Sequence, residues 1–239
     1  MKTEFGQKIA QNYDSWYETD FGRYASSLEE KLMMKLIGEV HDQKILDIGC
    51  GTGNHLKLFQ TLGSDPVGVD ISVFMLQKAK GKGNFKLILA KGEQLPIKDS
   101  AFDITTLITT LEFCEDPVKV LQEAARVTKQ KIFLGVLNSW SALAVGRRIK
   151  GWFKPSIYNR ANFFSIWKLR RLLKNSGVLE SVQWEGVHFV PYSRIRFFSY
   201  GSWGQWLDGK FSFRKNPFSA FLGIVATPKH SQLSAHENS

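Results

Sequence analysis

The sequence predicts an α/β fold built on a doubly wound, mostly parallel, seven-stranded sheet. Short apolar stretches rich in β-branched residues alternate with helical stretches over the first 137 residues, and the links between them are short. The first of these strands, Lys44–Ile48, runs directly into glycines at 49, 51 and 53. Strands joined through helices pair in parallel. Right-handed crossovers then bring their C-terminal ends to one edge of the sheet, where ligands bind in such folds.

Each element has a local reason. Leu28, Leu32, Leu36 and Ile37 recur at helical spacing among Glu29, Glu30, Lys31 and Lys35, so residues 7–40 read as helical. The glycines open a helix over Asn54–Thr61, and Pro66–Val69 is the second strand. Ser72 is the expected N-cap of a helix running to Lys80. Phe85–Ala90 and Phe102–Ile108 are the third and fourth strands. Asp116-Pro117 marks a helix start, with aspartate as cap and proline in the first turn, and that helix runs to about Thr128. Lys131–Leu137 is the fifth strand, Ser165–Asn175 a helix ended by Gly177, Val178–Val187 the sixth strand and Ala220–Ala226 the seventh. The implied organisation is an N-terminal helical lid (1–40), a main domain (41–227) with insertions at about 138–164 and 188–217, and a disordered tail (228–239).

Bulk properties narrow the function. With 239 residues and 43% hydrophobic content the chain fills one good-sized domain. Its first residues, Met-Lys-Thr-Glu-Phe-Gly-Gln-Lys, hold no apolar h-region, so no signal peptide is expected, and no apolar run approaches the roughly 18–20 residues needed to span a membrane. Two cysteines, one of them inside the glycine turn, make a disulfide framework implausible, so a reducing cytoplasm is the expected compartment. No H-x-x-x-H, C-x-x-C or carboxylate cluster suggests a metal. The net charge of +10 is uneven: residues 1–120 hold 14 basic and 17 acidic side chains, residues 121–239 hold 18 and 5. Between 140 and 220 lie 14 basic residues and 18 of the 31 aromatics, which suggests an anionic partner.

Chemistry concentrates at residues 45–53, Ile-Leu-Asp-Ile-Gly-Cys-Gly-Thr-Gly, and at Asp70, which closes Val-Gly-Val-Asp. Glycines let backbone approach a ligand, and a carboxylate at the end of the second strand can accept hydrogen bonds from ribose hydroxyls, so the site is read as one for a nucleoside. The glycine spacing is G-x-G-x-G, whereas a dinucleotide fingerprint needs G-x-G-x-x-G, and here that third position is Asn54. Asp47, just before the glycines, would repel a pyrophosphate but suits a ligand carrying an amino group and a sulfonium.

Several motifs in register resemble one family. Asp-Ile-Gly-Cys-Gly-Thr-Gly (47–53), Asp70, Gly92-Glu93-Gln94-Leu95-Pro96-Ile97 with Ser100-Ala101-Phe102-Asp103, Glu115-Asp116-Pro117 and Glu123-Ala124-Ala125-Arg126-Val127 stand in the order found in class I S-adenosylmethionine-dependent methyltransferases. Within that family the chain resembles the broad small-molecule (type 11) group that includes quinone-biosynthesis C-methyltransferases, over about residues 7–187. The resemblance implies a Rossmann-like fold and S-adenosylmethionine as cofactor. It implies that Asp47 and the backbone of Gly49 and Gly51 hold the methionine part, with Cys50 and Gly53 of the same loop also at the cofactor, that Asp70 takes the ribose, and that Ile71 and Met75 flank the adenine. Gly92 and Glu93 then lie at the adenine edge, and Thr109 and Thr110 on the methyl-transfer side. Many relatives carry aspartate where this chain has Lys91, which leaves adenine recognition to backbone contacts or to Glu93.

Tyr13 and Tyr17, at helical spacing in a segment resembling the family's N-terminal lid, either close over the cofactor or pack the helix onto the sheet. Cys50 reads as a small space-filler, His55 as a helix-surface residue, and His188 as a strand-end residue within reach of the pocket. The acceptor is expected to be a small or lipid-like molecule. Residues 140–217 suggest a substrate lobe, a peripheral membrane contact (Trp140, Leu143, Arg147, Arg148, Lys150, Trp152, Phe153) at the inner face of a membrane, nucleic acid, or simply a solvated basic face over an aromatic core. Tyr158 to Ser165 resemble a segment of small-molecule relatives, and nucleic acid ranks last because no known module for it is present. The competing class is a membrane- or nucleic-acid-associated binding protein of the same fold without catalytic activity.

Overall fold

The computed structural model describes residues 6–141, 161–187 and 212–229. The N-terminal stretch forms three helices rather than one: α1 (Gln7–Asn12), α2 (Ser15–Glu18) and α3 (Asp20–Ile37). The break has a tertiary cause. Gly22 in the first turn of α3 lies against α2 so closely that a Cβ there would sit 1.8 Å from the Trp16 carbonyl oxygen. Thr19 caps α3, its hydroxyl accepting from the Gly22 N–H at 2.9 Å, and Gly38, at φ +86°, ends it.

There follow β1 (Lys44–Ile48), α4 (Asn54–Thr61), β2 (Asp65–Asp70), α5 (Val73–Lys80), β3 (Lys86–Leu89), β4 (Phe102–Ile108), α6 (Pro117–Val127), β5 (Thr128–Leu137), α7 (Ile166–Ser176), β6 (Leu179–Val187) and β7 (Phe221–Pro228). The expected caps are in place: Ser72 accepts from Met75 N–H, and Asp116 from both Val118 and Lys119 N–H at 3.1 Å; Ser165, read as the first helical residue, is instead the cap of α7 and accepts from Lys168 N–H. β5 starts three residues earlier than its periodicity suggests. Thr128, whose hydroxyl bonds back to Ala124 and reaches Thr105, turns the last helical residue straight into the strand. At the other end, Pro228 is still in β7, and Lys229 N–H donates to the Val178 carbonyl.

The seven strands run in the order β3-β2-β1-β4-β5-β7-β6, all parallel except β7, which is antiparallel to β5 and β6. The order reverses between β1 and β4, and the C-terminal ends of those strands flank the crevice at that switch point. Both faces are covered, so the strands are apolar on both sides. Ile132, Leu134 and Val136 of β5 pack with α6 and α7, while Phe133, one residue out of phase, packs with Met33 and Ile37 of α3. Among the described residues no helix is long and apolar enough to cross a membrane. Leu143, Arg147, Arg148, Lys150, Trp152, Phe153, Tyr158, Asn159, Arg160 and His188 lie outside the described residues.

Candidate functional site

A cleft of about 250 Å³ opens at the switch point, walled by the β1 glycine turn, the ends of β2 and β4, the residues after β3, and Tyr13. The glycine turn is built by backbone alone. Gly49, Gly51 and Gly53 have φ of +75°, +53° and +81°, the left-handed region that glycine enters without strain. Gly49 is required twice over, because a Cβ there would lie 2.4 Å from Thr110 Oγ1. The Gly49 and Cys50 N–H groups both donate to the Val69 carbonyl, at 2.7 and 3.0 Å, which pins the turn to β2. Gly53 lies outside the cleft, against Ala79 of α5. The Cys50 side chain is buried beneath the turn with Leu56 and Leu76, and Cys50 is not among the residues that line the cleft.

Asp70 joins two loops. One carboxylate oxygen accepts from Gly51 N–H at 2.9 Å and the other from Ser72 N–H at 2.7 Å. Burial pushes its pKa up, and these backbone donors oppose that shift. With the Ile71 N–H as a third backbone donor, the carboxylate keeps about one of its roughly four acceptor positions for a ligand hydroxyl. Asp47 is 1% exposed and is not among the residues that line the cleft. Its Oδ1 accepts from the Thr106 hydroxyl at 2.7 Å, and its Oδ2 has no partner among the described residues. Burial raises its pKa to about 7, opposed by the Thr106 bond and assisted by the charge of Asp70. A buried carboxylate with an unpartnered oxygen favours a cationic ligand beside it.

Ile71, 37% exposed, lines the cleft in front of the buried Met75. Opposite are Ala90 to Glu93. Glu93 Oε1 turns toward the Glu115 and Asp116 N–H groups (3.2 and 3.5 Å), fixing the loop that enters α6. Lys91 pairs with Glu115 at 3.4 Å on the cleft wall. The neighbouring motif is a structural clip. Arg126 binds Glu123 and Asp99 and donates to the carbonyls of Leu95 and Ile97, while Glu123 accepts from Leu95 N–H.

Thr109 and Thr110 line the third wall. Thr109 has φ +51°, a conformation costing a β-branched residue on the order of 1–3 kcal/mol, and its N–H is held by Gly135 O at 2.7 Å. Cys114 also lines the cleft. Burial, and then the charges of Glu93 and Glu112, push its thiol up to about 12, so it stays protonated.

The N-terminal segment forms the last wall. The Tyr13 and Tyr17 rings meet at a tilt of 45° with centroids 6.1 Å apart, and Tyr13 lies within reach of Gly51. Asp14 anchors it: one carboxylate oxygen accepts from Thr52 (2.6 Å), Lys82 (2.8 Å) and Asn54 (3.4 Å), and Lys82 also binds Thr52 and Asn54. Tyr13 thus lies in the cleft wall, and Tyr17 contacts it from behind without lining the cleft. His55 is half-buried rather than a surface residue, and burial followed by the Lys82 charge pushes it down to about 4.

Two residues escaped sequence reasoning. Lys82 carried no motif. Glu112 is fully buried next to the cleft-lining Phe113. It accepts from Leu137 N–H at 2.7 Å, has its other oxygen unpartnered among the described residues, and is raised by burial to about 7. Its one sequence signal is an acid between two apolar residues directly after β4. Among the described residues no cluster suits a metal ion.

Comparison with known proteins agrees with this geometry. A family described as a methyltransferase domain matches residues 46–134, from β1 through β5. An uncharacterised protein of Methanocaldococcus jannaschii is 37% identical over 172 residues, covering 71% of this chain and 78% of that one. A malonyl-[acyl-carrier protein] O-methyltransferase of Hamiltonella defensa is 32% identical over 126 residues, covering 51% of this chain and 47% of that one. The crystal structure of a Thermotoga maritima SAM-dependent methyltransferase, a possible histamine N-methyltransferase, shares the fold with a TM-score of 0.74 and 24% identity, covering 96% of this chain and 100% of that one. The motifs, the switch-point cleft and these matches together place the chain in the class I S-adenosylmethionine-dependent methyltransferases, with S-adenosylmethionine as its cofactor.

Proposed function

We propose that this protein transfers the methyl group of S-adenosylmethionine to a small-molecule or lipid-like acceptor by in-line displacement. The observation that carries the reading is the pair of buried carboxylates around the glycine turn. Asp70 is already bonded to the Gly51, Ser72 and Ile71 amides and keeps acceptor capacity for a ribose hydroxyl, and Asp47 has one oxygen without a partner among the described residues. These residues fit the cofactor. Of the cleft-lining residues, Gly49 and Gly51 would hold the methionine end, Asp70 the ribose, and Ile71, Met75, Gly92 and Glu93 the adenine, while Asp47, which does not line the cleft, would act on the cationic end as a buried charge with that oxygen. When bound, the cofactor supplies an electrophilic methyl on a sulfonium whose leaving group is a neutral thioether.

The chain's own work is alignment and exclusion of water. Tyr13, fastened by the Asp14–Lys82 pair, covers the turn, and Thr109 and Thr110 set the wall facing the acceptor. The similarity to a malonyl-acyl-carrier O-methyltransferase supports a small-molecule acceptor class, although that match spans 47% of the relative's length.

Calorimetry with S-adenosylhomocysteine, followed by incubation of methyl-labelled cofactor with polar and lipid extracts, tests the reading. Submicromolar to micromolar binding and a labelled product in an extract are expected. The absence of affinity below millimolar sinks the enzyme reading. Binding without any labelled product favours a cofactor-binding protein that does not catalyse.

A further inference from the structure

Three aromatic side chains from three separate segments meet at the surface on the same edge of the sheet as the cleft. Trp140 follows β5, Trp167 opens α7 and Phe218 precedes β7. They are 54%, 52% and 56% exposed, with Trp140 5.0 Å from Trp167 and 6.1 Å from Phe218. Aromatic side chains that find one another normally do so to leave water, and these remain half in it.

The grouping is built from beneath. Asn138, fully buried, donates both amide hydrogens, to Pro217 O and Ser219 O at 2.7 Å, and accepts from Trp140 N–H at 3.1 Å. Ser139 N–H donates to Phe164 O, just before the Ser165 cap of α7. The buried Asn138 therefore ties two of the segments together, the adjacent Ser139 amide ties in the third, and the three present one apolar tip.

α7 extends this tip into a charged stripe. Ile166, Leu169 and Leu173 are buried against the core, and Trp167, Arg170, Arg171 and Lys174 are exposed. Those four stand at i, i+3, i+4 and i+7, so they share one outward face, and the helix has no acidic residue. A tryptophan tip continuous with a purely cationic stripe complements the apolar-to-anionic gradient at a bilayer surface, where aromatic rings sit at headgroup depth and arginines and lysines lie against phosphates.

We propose that Trp140, Trp167 and Phe218, with Arg170, Arg171 and Lys174, dock this protein onto an anionic membrane surface. Docking turns the cleft-bearing edge of the sheet toward the bilayer, where a lipid-borne acceptor resides. The docking stands apart from the methyl-transfer reading; the lipid-borne acceptor rests on it.

Co-sedimentation of the full chain with vesicles of phosphatidylcholine, with and without a third of phosphatidylglycerol, tests the surface. Binding is expected only with the anionic lipid and is expected to weaken with salt. Each Arg170→Gln, Arg171→Gln or Lys174→Gln change should lower the partition coefficient about fivefold. The Trp140→Ala/Trp167→Ala/Phe218→Ala variant should lower it at least about tenfold, including at high salt. The conservative Trp140→Phe/Trp167→Phe variant guards against misfolding: quenching of tryptophan fluorescence by brominated phosphatidylcholine should be strong in the parent and largely lost in this variant. Unchanged S-adenosylhomocysteine affinity in the variants separates a docking failure from a failure of the cofactor site. The proposal is overturned if the parent does not sediment with anionic vesicles at low salt, if the aromatic changes leave binding unaltered, or if single-stranded RNA binds the stripe and displaces vesicles without dependence on the aromatics.

Discussion

Replacing Asp47 by asparagine separates cofactor binding from stability, because the same buried carboxyl acts on both. In the free protein Asp47 titrates near pH 7. A cationic ligand beside it holds it ionised, so binding below pH 7 must expel a proton. Affinity then varies with the ionised fraction, and binding at pH 6 should be about tenfold weaker than at pH 8. The asparagine keeps an acceptor for the Thr106 hydroxyl but has no charge, so at pH 8 the variant should bind at least about tenfold more weakly, with most of the pH slope gone. The stability effect has the opposite sign. The folded-state pKa lies above the usual 3.8, so the folded protein holds a proton that the unfolded chain gives up. Stability from this group is lost as pH rises from about 4 to about 7. The loss approaches about 4 kcal/mol as an upper bound for a fully buried acid. Asp47→Asn removes that loss. The cofactor-free variant should therefore melt higher than the parent at pH 8 and close to it at pH 4–5. Calorimetric titration in buffers of different ionisation enthalpy, with thermal denaturation at both pH values, measures each quantity. Equal affinity at pH 6 and 8 in the parent, or a variant less stable than the parent at pH 8, refutes the reasoning.

Gly49→Ala places a methyl 2.4 Å from Thr110 Oγ1 at a φ of +75°. It should cost about 2–4 kcal/mol in denaturant unfolding and abolish measurable S-adenosylhomocysteine binding. Lys82→Met removes the cation that holds Asp14, so hydrogen exchange over residues 7–18 should rise and cofactor affinity fall several-fold, while the global melting temperature changes little. Arg126→Ala strips the clip from the loop after β3 and leaves Glu123 with only the Leu95 amide, a loss of about 2 kcal/mol in chemical denaturation with a much smaller effect on methyl transfer per folded molecule.

What could be read in advance follows the range of the forces involved. Asp116-Pro117, Ser72 and Gly177 fix helix ends through bonds within one turn, so their roles are written in adjacent residues. The three glycines and Asp70 were legible because backbone conformation at that turn depends on residue type alone. Gly22 was not: its meaning lies in the approach of the Trp16 carbonyl, and one long helix became three. The direction of Glu93, turned to the Glu115 and Asp116 amides, depends on a loop closing 22 and 23 residues away. Asn138 looks like an ordinary polar residue after a strand, and only the assembled sheet edge shows that it bonds to Pro217 and Ser219. Glu112 stayed hidden because a buried acid breaks the rule by which burial is inferred from composition.

The clasp between Asp14 and Lys82 bears on how the chain is made. The two residues are 68 positions apart, and the Thr52 and Asn54 groups that complete the clasp lie between them. During synthesis residues 7–18 leave the ribosome early but have no charge partner until the end of α5 has followed. Tyr13 can settle over the turn only once β1, the turn and α5 have been laid down, which makes an early-made segment one of the later ones to find its place.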